Sequence, residues 1–205
     1  MTARRRVGIT QRRDLVAERD EWRDTLDVRL AALVWEVGFT PVPLASGVTD
    51  IKGYLDALDL DAFVLSGGGE VGDPAERAEL ERVILARSAA DLRPVLGICR
   101  GMQVIVAACG GTLDPVEGHV ATRHTVSGDL SNEREVNSFH TLGLRPDHVP
   151  LSLAAVARAP DGTVEAVRHR VHPWTAIMWH PEREHPYDSA DLALFAASLT
   201  NIGRP

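Results

Sequence analysis

The run Pro94-Val95-Leu96-Gly97-Ile98-Cys99-Arg100-Gly101-Met102-Gln103 constrains this chain more than any other stretch. A short apolar segment stops at a cysteine set between two glycines. Met102, Val104, Ile105, Val106, Ala107 and Ala108 then follow in a helical pattern. This predicts strand, sharp turn and helix, with a nucleophile at the corner. Gly-x-Cys-x-Gly is the thiol counterpart of the Gly-x-Ser-x-Gly elbow, and a side chain at Gly97 or Gly101 would crowd so tight a turn. The corner puts the sulfur at a helix N-terminus, where N–H groups and the dipole favour a thiolate. The same residues also fit a small buried cysteine at an ordinary strand–helix junction. A nucleophile would need a base, a group to orient the base, and donors for an oxyanion.

Upstream, strand and helix patterns alternate. Arg6 to Thr10 reads as a buried strand, and Trp22, Leu26, Leu30, Leu33, Val34 and Val37 recur at helical spacing up to Gly38. Phe39 to Leu44, with two prolines, reads as a short strand at or near a sheet edge. Asp50 to Leu58 reads as a helix, and Ala62 to Leu65 as a strand running into Ser66-Gly67-Gly68-Gly69. Asp73-Pro74 has the form of an N-cap followed by proline at the first helical position. It opens a helix to about Asp91 that is rich in alanine, glutamate and arginine. Such alternation predicts a parallel sheet covered on both faces, with ligands beyond the carboxyl ends of the strands. Gln11-Arg12-Arg13, the Ser66–Gly69 loop and Cys99 all follow strands, so they fall on that one edge.

The C-terminal half reads differently. Residues 121–126, 135–139, 151–158, 164–169 and 174–179 look like strands joined by turns, with Asp161-Gly162 as a hairpin signal. Ser189 to Leu199 reads as a closing helix. The expected fold class is α/β: a mostly parallel central sheet with helices on both faces and an added antiparallel or mixed β region. Residues 1–205 read as one domain.

His180-Pro181-Glu182 offers the missing base. A residue before proline is pushed to an extended conformation, and residues two apart in an extended chain point to the same side. The Glu182 carboxylate would then orient the His180 imidazole, giving a Cys99–His180–Glu182 arrangement. A surface His-Pro turn with a solvated glutamate fits the same residues. The Ser66–Gly69 loop offers backbone N–H groups that, with that of Arg100, could hold an oxyanion; a flexible connector is the alternative.

Composition narrows the setting. The 205 residues carry a net charge of −7, against a nucleic-acid partner. No apolar run approaches the ~18–20 residues that span a membrane, and no signal-peptide core follows the basic N-terminus, so a cytoplasmic protein is expected. Cys99 and Cys109 are the two cysteines; about 15 Å apart along one helix, they are read as unpaired thiols. His119 and His124 are read as scattered histidines outside any zinc spacing. Neither a metal nor a cofactor is expected.

Taken in order, Ser66-Gly67-Gly68, Gly97-Ile98-Cys99-Arg100-Gly101-Met102-Gln103 and His180-Pro181-Glu182 resemble the class I glutamine amidotransferase superfamily over nearly the whole chain. Ile9-Thr10-Gln11-Arg12, Arg23-Asp24, Val136-Asn137-Ser138-Phe139-His140, Glu165-Ala166 and Ile177-Met178-Trp179-His180-Pro181-Glu182-Arg183-Glu184 look like its γ-glutamyl hydrolase branch. The resemblance implies a flavodoxin-like sheet and a catalytic Cys99, His180 and Glu182. It implies an oxyanion hole from the N–H groups of Gly68 and Arg100, with Gln103, Ser138 and Phe139 around the glutamyl group. Gln11 and Arg12 are expected at the substrate, Arg12 or Arg13 meeting a phosphate. The implied reaction is cleavage of a small γ-glutamyl amide through a thioester, with no nucleic acid, membrane or cofactor involved and a homodimer allowed. The alternative is a glutaminase subunit supplying ammonia to a separate synthase. Position 69 is glycine where many amidotransferases have proline, which favours the hydrolase side.

Overall fold

The computed structural model describes residues 4–69 and 74–200. β1 (Arg6–Ile9) leads into a hairpin of β2 (Arg12–Val16) and β3 (Glu21–Thr25). α1 (Val28–Glu36), β4 (Thr40–Pro43), α2 (Ile51–Leu58), β5 (Ala62–Leu65), α3 (Ala75–Asp91), β6 (Val95–Ile98) and α4 (Arg100–Ala108) complete the alternating half. Then come β7 (Asp114–Pro115), β8 (Val120–Gly128), β9 (Ser131–Phe139), β10 (Leu142–Gly143), β11 (Leu153–Arg158), β12 (Val164–His169), β13 (Trp174–Ile177) and α5 (Ser189–Thr200).

Nine strands form one sheet in the order β4-β1-β5-β6-β13-β12-β11-β8-β9. The first five are parallel and in chain order run 2-1-3-4-5, the flavodoxin-like arrangement. β12, β11, β8 and β9 continue it antiparallel. The last strand, β13, therefore lies inside the parallel core, not in the added region where its position in sequence had suggested. This insertion sets β13 beside the elbow strand β6.

Strand periodicity builds the layers. In β5, Ala62 and Val64 face α1 and α5, where Leu33, Val34, Phe195 and Leu199 pack; Phe63 and Leu65 face Leu55, Leu80, Ile84, Met102 and Val106 of α2, α3 and α4. Full burial of each such side chain contributes ~1.5–3 kcal/mol. No helix among the described residues is long and apolar enough to cross a membrane.

Three local expectations are corrected. α1 starts at Val28, capped by the Asp27 side chain accepting from the Arg29 N–H, so Trp22 and Leu26 lie outside it. Trp22 instead sits on β3 opposite Leu15, half-exposed, with the Arg13 guanidinium 5.0 Å over its ring. A spacing of four serves a strand face as well as a helix face. Asp73 lies outside the described residues, and the N-cap of α3 is Pro74. His119 and His124 are not scattered: they converge with His140 and Glu165.

Candidate active site

Cys99 closes the junction of β6 and α4 at φ 50°, ψ −105°. A non-glycine residue holds such a conformation at a cost of roughly 1–3 kcal/mol. The glycines show how the corner closes. A Cβ on Gly97 would stand 2.7 Å from the Gly101 backbone, and one on Gly101 would stand 2.1 Å from the Leu65 carbonyl oxygen. Neither clash can be relieved by a side chain swinging aside. The Cys99 N–H donates to the Ile177 carbonyl at 2.7 Å, while its own carbonyl accepts from the Gln103 N–H at 3.1 Å. The elbow is thus fixed between β13 and the first turn of α4.

The chain leaving β13 delivers His180. The Asn137 side chain of β9 grips its backbone twice, donating to the His180 carbonyl at 2.8 Å and accepting from its N–H at 2.9 Å. Pro181–Arg183 forms a 3-10 turn, not the extended segment the sequence suggested. N–H groups of Arg183 and Glu184 donate back to His180 and Pro181 and close that turn. His180, before the proline, stays out of the helical region at φ −117°, ψ 85°. The turn still brings Glu182 Oε1 within 2.6 Å of His180 Nδ1, with both side chains buried. Burial pushes the imidazole pKa down. Hydrogen bonds with Cys99 and Glu182 and their charges more than offset this, so it rises to about 9. A Cβ on Gly67 would meet His180 Cε1 at 2.7 Å and Cys99 Cβ at 3.6 Å, so loop, base and cysteine meet at one point.

Two cavities adjoin there. One, of 190 Å³, is lined by Cys99, Gly68, Arg100, Gln103, Phe139 and His180, among others. The second, of 250 Å³, is lined by Arg12, Asp27, Gly68, His180, Glu182 and Arg183, among others. It lies beyond the ends of β1 and β5, at the switch point where ligands settle in such sheets. Gly68, His180 and Arg183 border both. An acyl group held at Cys99 would face one cavity and its leaving group the other.

A buried ionic network underlies the glycine loop. Arg77 on α3 is fully buried, and its guanidinium donates to the carbonyls of Ser66 at 2.7 Å, Gly67 at 3.3 Å and Gly68 at 2.6 Å. Burial pushes its pKa down to about 10, against the opposing pull of Glu81. The equally buried Glu81 accepts from Arg77 Nε at 2.9 Å, from Arg100 Nη1 at 2.7 Å and from Thr10 Oγ1 at 3.2 Å. One carboxylate therefore ties the glycine loop to the first residue of α4. Its N–H is one of the N-terminal donors that no helix satisfies internally. Both expected oxyanion donors, Gly68 and Arg100, hang on this one group. The signal for it was an Arg-x-x-x-Glu pair one turn apart on α3, which reads as surface charge.

Cys99, His180 and Glu182 are brought together, and Gly68, Arg100, Gln103 and Phe139 border the cavity with the cysteine. The Phe139 ring lies 5.9 Å from that of His180, edge on, and under the Arg183 guanidinium at 4.4 Å. The Gln103 amide donates to the Leu142 carbonyl at 3.0 Å. Arg12 lines the second cavity and is paired with Asp14 at 2.7 Å; Arg13 turns to Glu76 at 2.5 Å. Two expected residues are not brought in. The Gln11 amide donates to the Leu44 carbonyl at 2.9 Å, and Gln11 lines neither cavity. Ser138 is fully buried, its hydroxyl donating to the His119 carbonyl at 2.8 Å, and it lines neither cavity. Its outward turn follows from strand alternation next to Phe139. Asn137, Arg183, Arg77 and Glu81 act at the site in ways the sequence did not reveal.

The sequence model described as glutamine amidotransferase class-I matches residues 29–196. The chain belongs to this family. Family membership implies amide hydrolysis by a cysteine-dependent mechanism. Among curated proteins, the γ-glutamyl-CDP-amidate hydrolase of Campylobacter jejuni is 30% identical over 189 residues, which is 87% of this chain and 90% of that protein. Anthranilate synthase component 2 of Methanothermobacter marburgensis is 30% identical over 136 residues, 63% of this chain and 68% of that protein. Among solved structures, a protein of Thermoplasma acidophilum described as a GMP synthase subunit superposes with a TM-score of 0.73 at 20% identity. The match covers 98% of this chain and 96% of that one, a likeness of fold.

Proposed function

We propose that the chain is a stand-alone hydrolase of a small γ-glutamyl amide whose leaving group carries a phosphoryl-type anion. The observation that carries this reading is the pair of cavities meeting at His180, the second bordered by Arg12 and Arg183 as well as by Asp27 and Glu182. A leaving group larger than ammonia would occupy the second cavity, beyond the one that holds the acyl group. Guanidinium groups suit an anionic oxygen cluster. The likeness to a γ-glutamyl-CDP-amidate hydrolase over most of both chains supports the same substrate class.

In this mechanism the Cys99 thiolate, beside protonated His180, attacks the γ-carbonyl carbon while the N–H groups of Gly68 and Arg100 receive the developing oxyanion. His180, protonated up to pH about 9, gives its proton to the departing nitrogen as the C–N bond breaks. Glu182 holds the ring through Nδ1. The γ-glutamyl thioester on Cys99 is then attacked by water, which loses its proton to His180, and glutamate leaves with the Cys99 sulfur restored as the thiolate beside protonated His180. Gln103 and Phe139 border the acyl cavity.

A glutaminase subunit feeding a separate synthase is the second reading, favoured by the likeness to anthranilate synthase component 2. A screen of glutamine, γ-glutamyl amines, γ-glutamyl peptides and γ-glutamyl phosphoramidates for glutamate release separates them. A preference for the phosphoramidate, weakened by Arg183→Met mainly through KM, supports the hydrolase. Slow turnover of glutamine alone, raised by an added synthase, supports the second reading. Undiminished activity in Cys99→Ala would overturn both.

A further inference from the structure

Behind the Phe139 wall of the site, four side chains from three stretches of sequence turn polar atoms toward one another. His119 precedes β8, His124 lies on it, His140 follows β9 and Glu165 is on β12. One ligand atom of each lies within 4.8 Å of all the others. Glu165 Oε1 is 3.4 Å from His119 Nδ1, 3.4 Å from His140 Nε2 and 3.7 Å from His124 Nε2. Glu165, His119 and His140 are more than nine-tenths buried. The three inward nitrogens and both Glu165 oxygens are buried without a hydrogen-bond partner in the protein. A buried carboxylate in that state costs several kcal/mol unless the imidazoles 3.4–3.7 Å away are protonated and pair with it, or a cation sits among them.

The outward ring nitrogens are each engaged. His119 Nε2 lies 3.2 Å from Asp161 Oδ2, His140 Nδ1 3.1 Å from the Leu142 carbonyl, and His124 Nδ1 3.3 Å from the Thr125 carbonyl. An acceptor at one ring nitrogen fixes the proton there and leaves a lone pair on the other, here the one facing Glu165. Histidines that bind metals are held this way by carboxylates and backbone carbonyls. The strand is also shaped for it. Residues five apart on a regular strand face opposite ways. Ala121, at φ 52°, is an extra residue between the pairs Val120–Phe139 and Thr122–Ser138. This bulge restores the parity and turns His119 and His124 to the same side.

We propose that His119, His124, His140 and Glu165 form a four-coordinate site for a divalent transition metal, with Zn2+ as its occupant. Three imidazoles and one carboxylate match zinc's ligand preferences. Tetrahedral bonds of ~2.0–2.2 Å put ligand atoms ~3.3–3.6 Å apart, against the 3.4, 3.4 and 3.7 Å from Glu165 to the three nitrogens; all four atoms lie within 4.8 Å of one another, so the nitrogens draw inward on binding. Calcium and magnesium call for oxygen ligands, and Cu2+ for a flatter arrangement. With all four positions supplied by the protein, the site is structural. It joins the start of β8, the exit of β9 and β12. The β9 exit carries Phe139 and the Thr141–Leu142 wall of the acyl cavity.

The test is metal analysis of the full chain purified without chelator, with thermal unfolding before and after zinc removal by dipicolinate. The expected result is close to one zinc per chain, a lower Tm on removal and recovery on adding Zn2+. Co2+ in its place should give the visible absorption of a tetrahedral ion. Zinc affinity, measured against a chelating dye, should fall roughly 10–100-fold in Asp161→Asn, which removes the carboxylate behind His119 and also changes the group that accepts from the Thr163 N–H and hydroxyl. It should fall at least as far in His124→Ala, a change at a partly exposed position. The proposal is overturned if the chain holds no zinc and its Tm ignores added Zn2+, or if wild type and both variants bind Zn2+ equally. Those results would leave a metal-free histidine–glutamate cluster.

Discussion

Replacing Glu81 by glutamine tests the buried network beneath the glycine loop. The side chain keeps its size but loses its charge, and the charge sits among groups without solvent. Arg77 and Glu81 are 0% exposed and Arg100 is 1% exposed at the side chain. Removing one partner of a buried ion pair leaves uncompensated charge and costs ~3–5 kcal/mol. Here two guanidiniums lose the same counter-ion. In a chain of this size each kcal/mol shifts Tm by about 2–4 °C, so the loss should read as ~6–20 °C. The control is on the same helix: Glu79 accepts from Arg82 at 2.7 Å, but the pair is 49% and 67% exposed. Glu79→Gln should therefore leave the unfolding transition nearly where it is in wild type. Activity should follow, because Arg77 would no longer be held as it grips the Ser66, Gly67 and Gly68 carbonyls. A loop displaced by even ~1 Å can cost on the order of 10²-fold in rate. The assays are urea unfolding and glutamate release on both variants. A Glu81→Gln protein within ~1 kcal/mol of wild type, or no less stable than Glu79→Gln, would refute the reasoning.

Three further outcomes are expected. Gly101→Ala should fail to fold or lose several kcal/mol, since its Cβ would sit 2.1 Å from the Leu65 carbonyl; Gly47→Ala, with nothing within 4 Å, should stay within about 0.5 kcal/mol by the same unfolding assay. Gly67→Ala should fold but lose most of its turnover, because its Cβ would push the His180 ring from 2.7 Å; near-normal kcat would count against the proposed base. The His180 pKa is raised from 6.5 to about 9 in the folded protein, so its contribution to stability is complete below pH 6.5 and is lost as pH rises through about 9. The stability gap between wild type and His180→Asn should shrink over that interval, and a gap that widens there would contradict the sign.

Much of the fold was legible because its parallel core is written in short apolar runs closed by turn residues. Ala62–Leu65 ending in Ser66-Gly67, and Val95–Ile98 ending in Cys99, can be little else. The elbow and the His180–Glu182 pair were legible for the same local reason, although the backbone that joins the pair is a 3-10 turn. What the sequence hid was long-range. Nothing local places β13 against β6, because that neighbour is chosen by a crossover of most of the C-terminal half. Trp22 and Leu26 fit a helix by spacing until Asp27 is known to cap one. Arg77 and Glu81 resemble any surface pair until α3 is packed against the glycine loop. His119 and His124 read as scattered because a bulge at Ala121 is not visible in composition, and their partners arrive from the end of β9 and from β12.

The central claim, that Cys99 carries the acyl group of a γ-glutamyl amide, is tested most directly by trapping the thioester. The chain is acid-quenched during turnover of a γ-glutamyl phosphoramidate and its peptides are mapped by mass spectrometry. The account predicts the mass of one γ-glutamyl group on the peptide containing Cys99, absent in Cys99→Ala and independent of Cys109. Rapid glutamate release without any adduct on Cys99, or with the adduct on another residue, would contradict it.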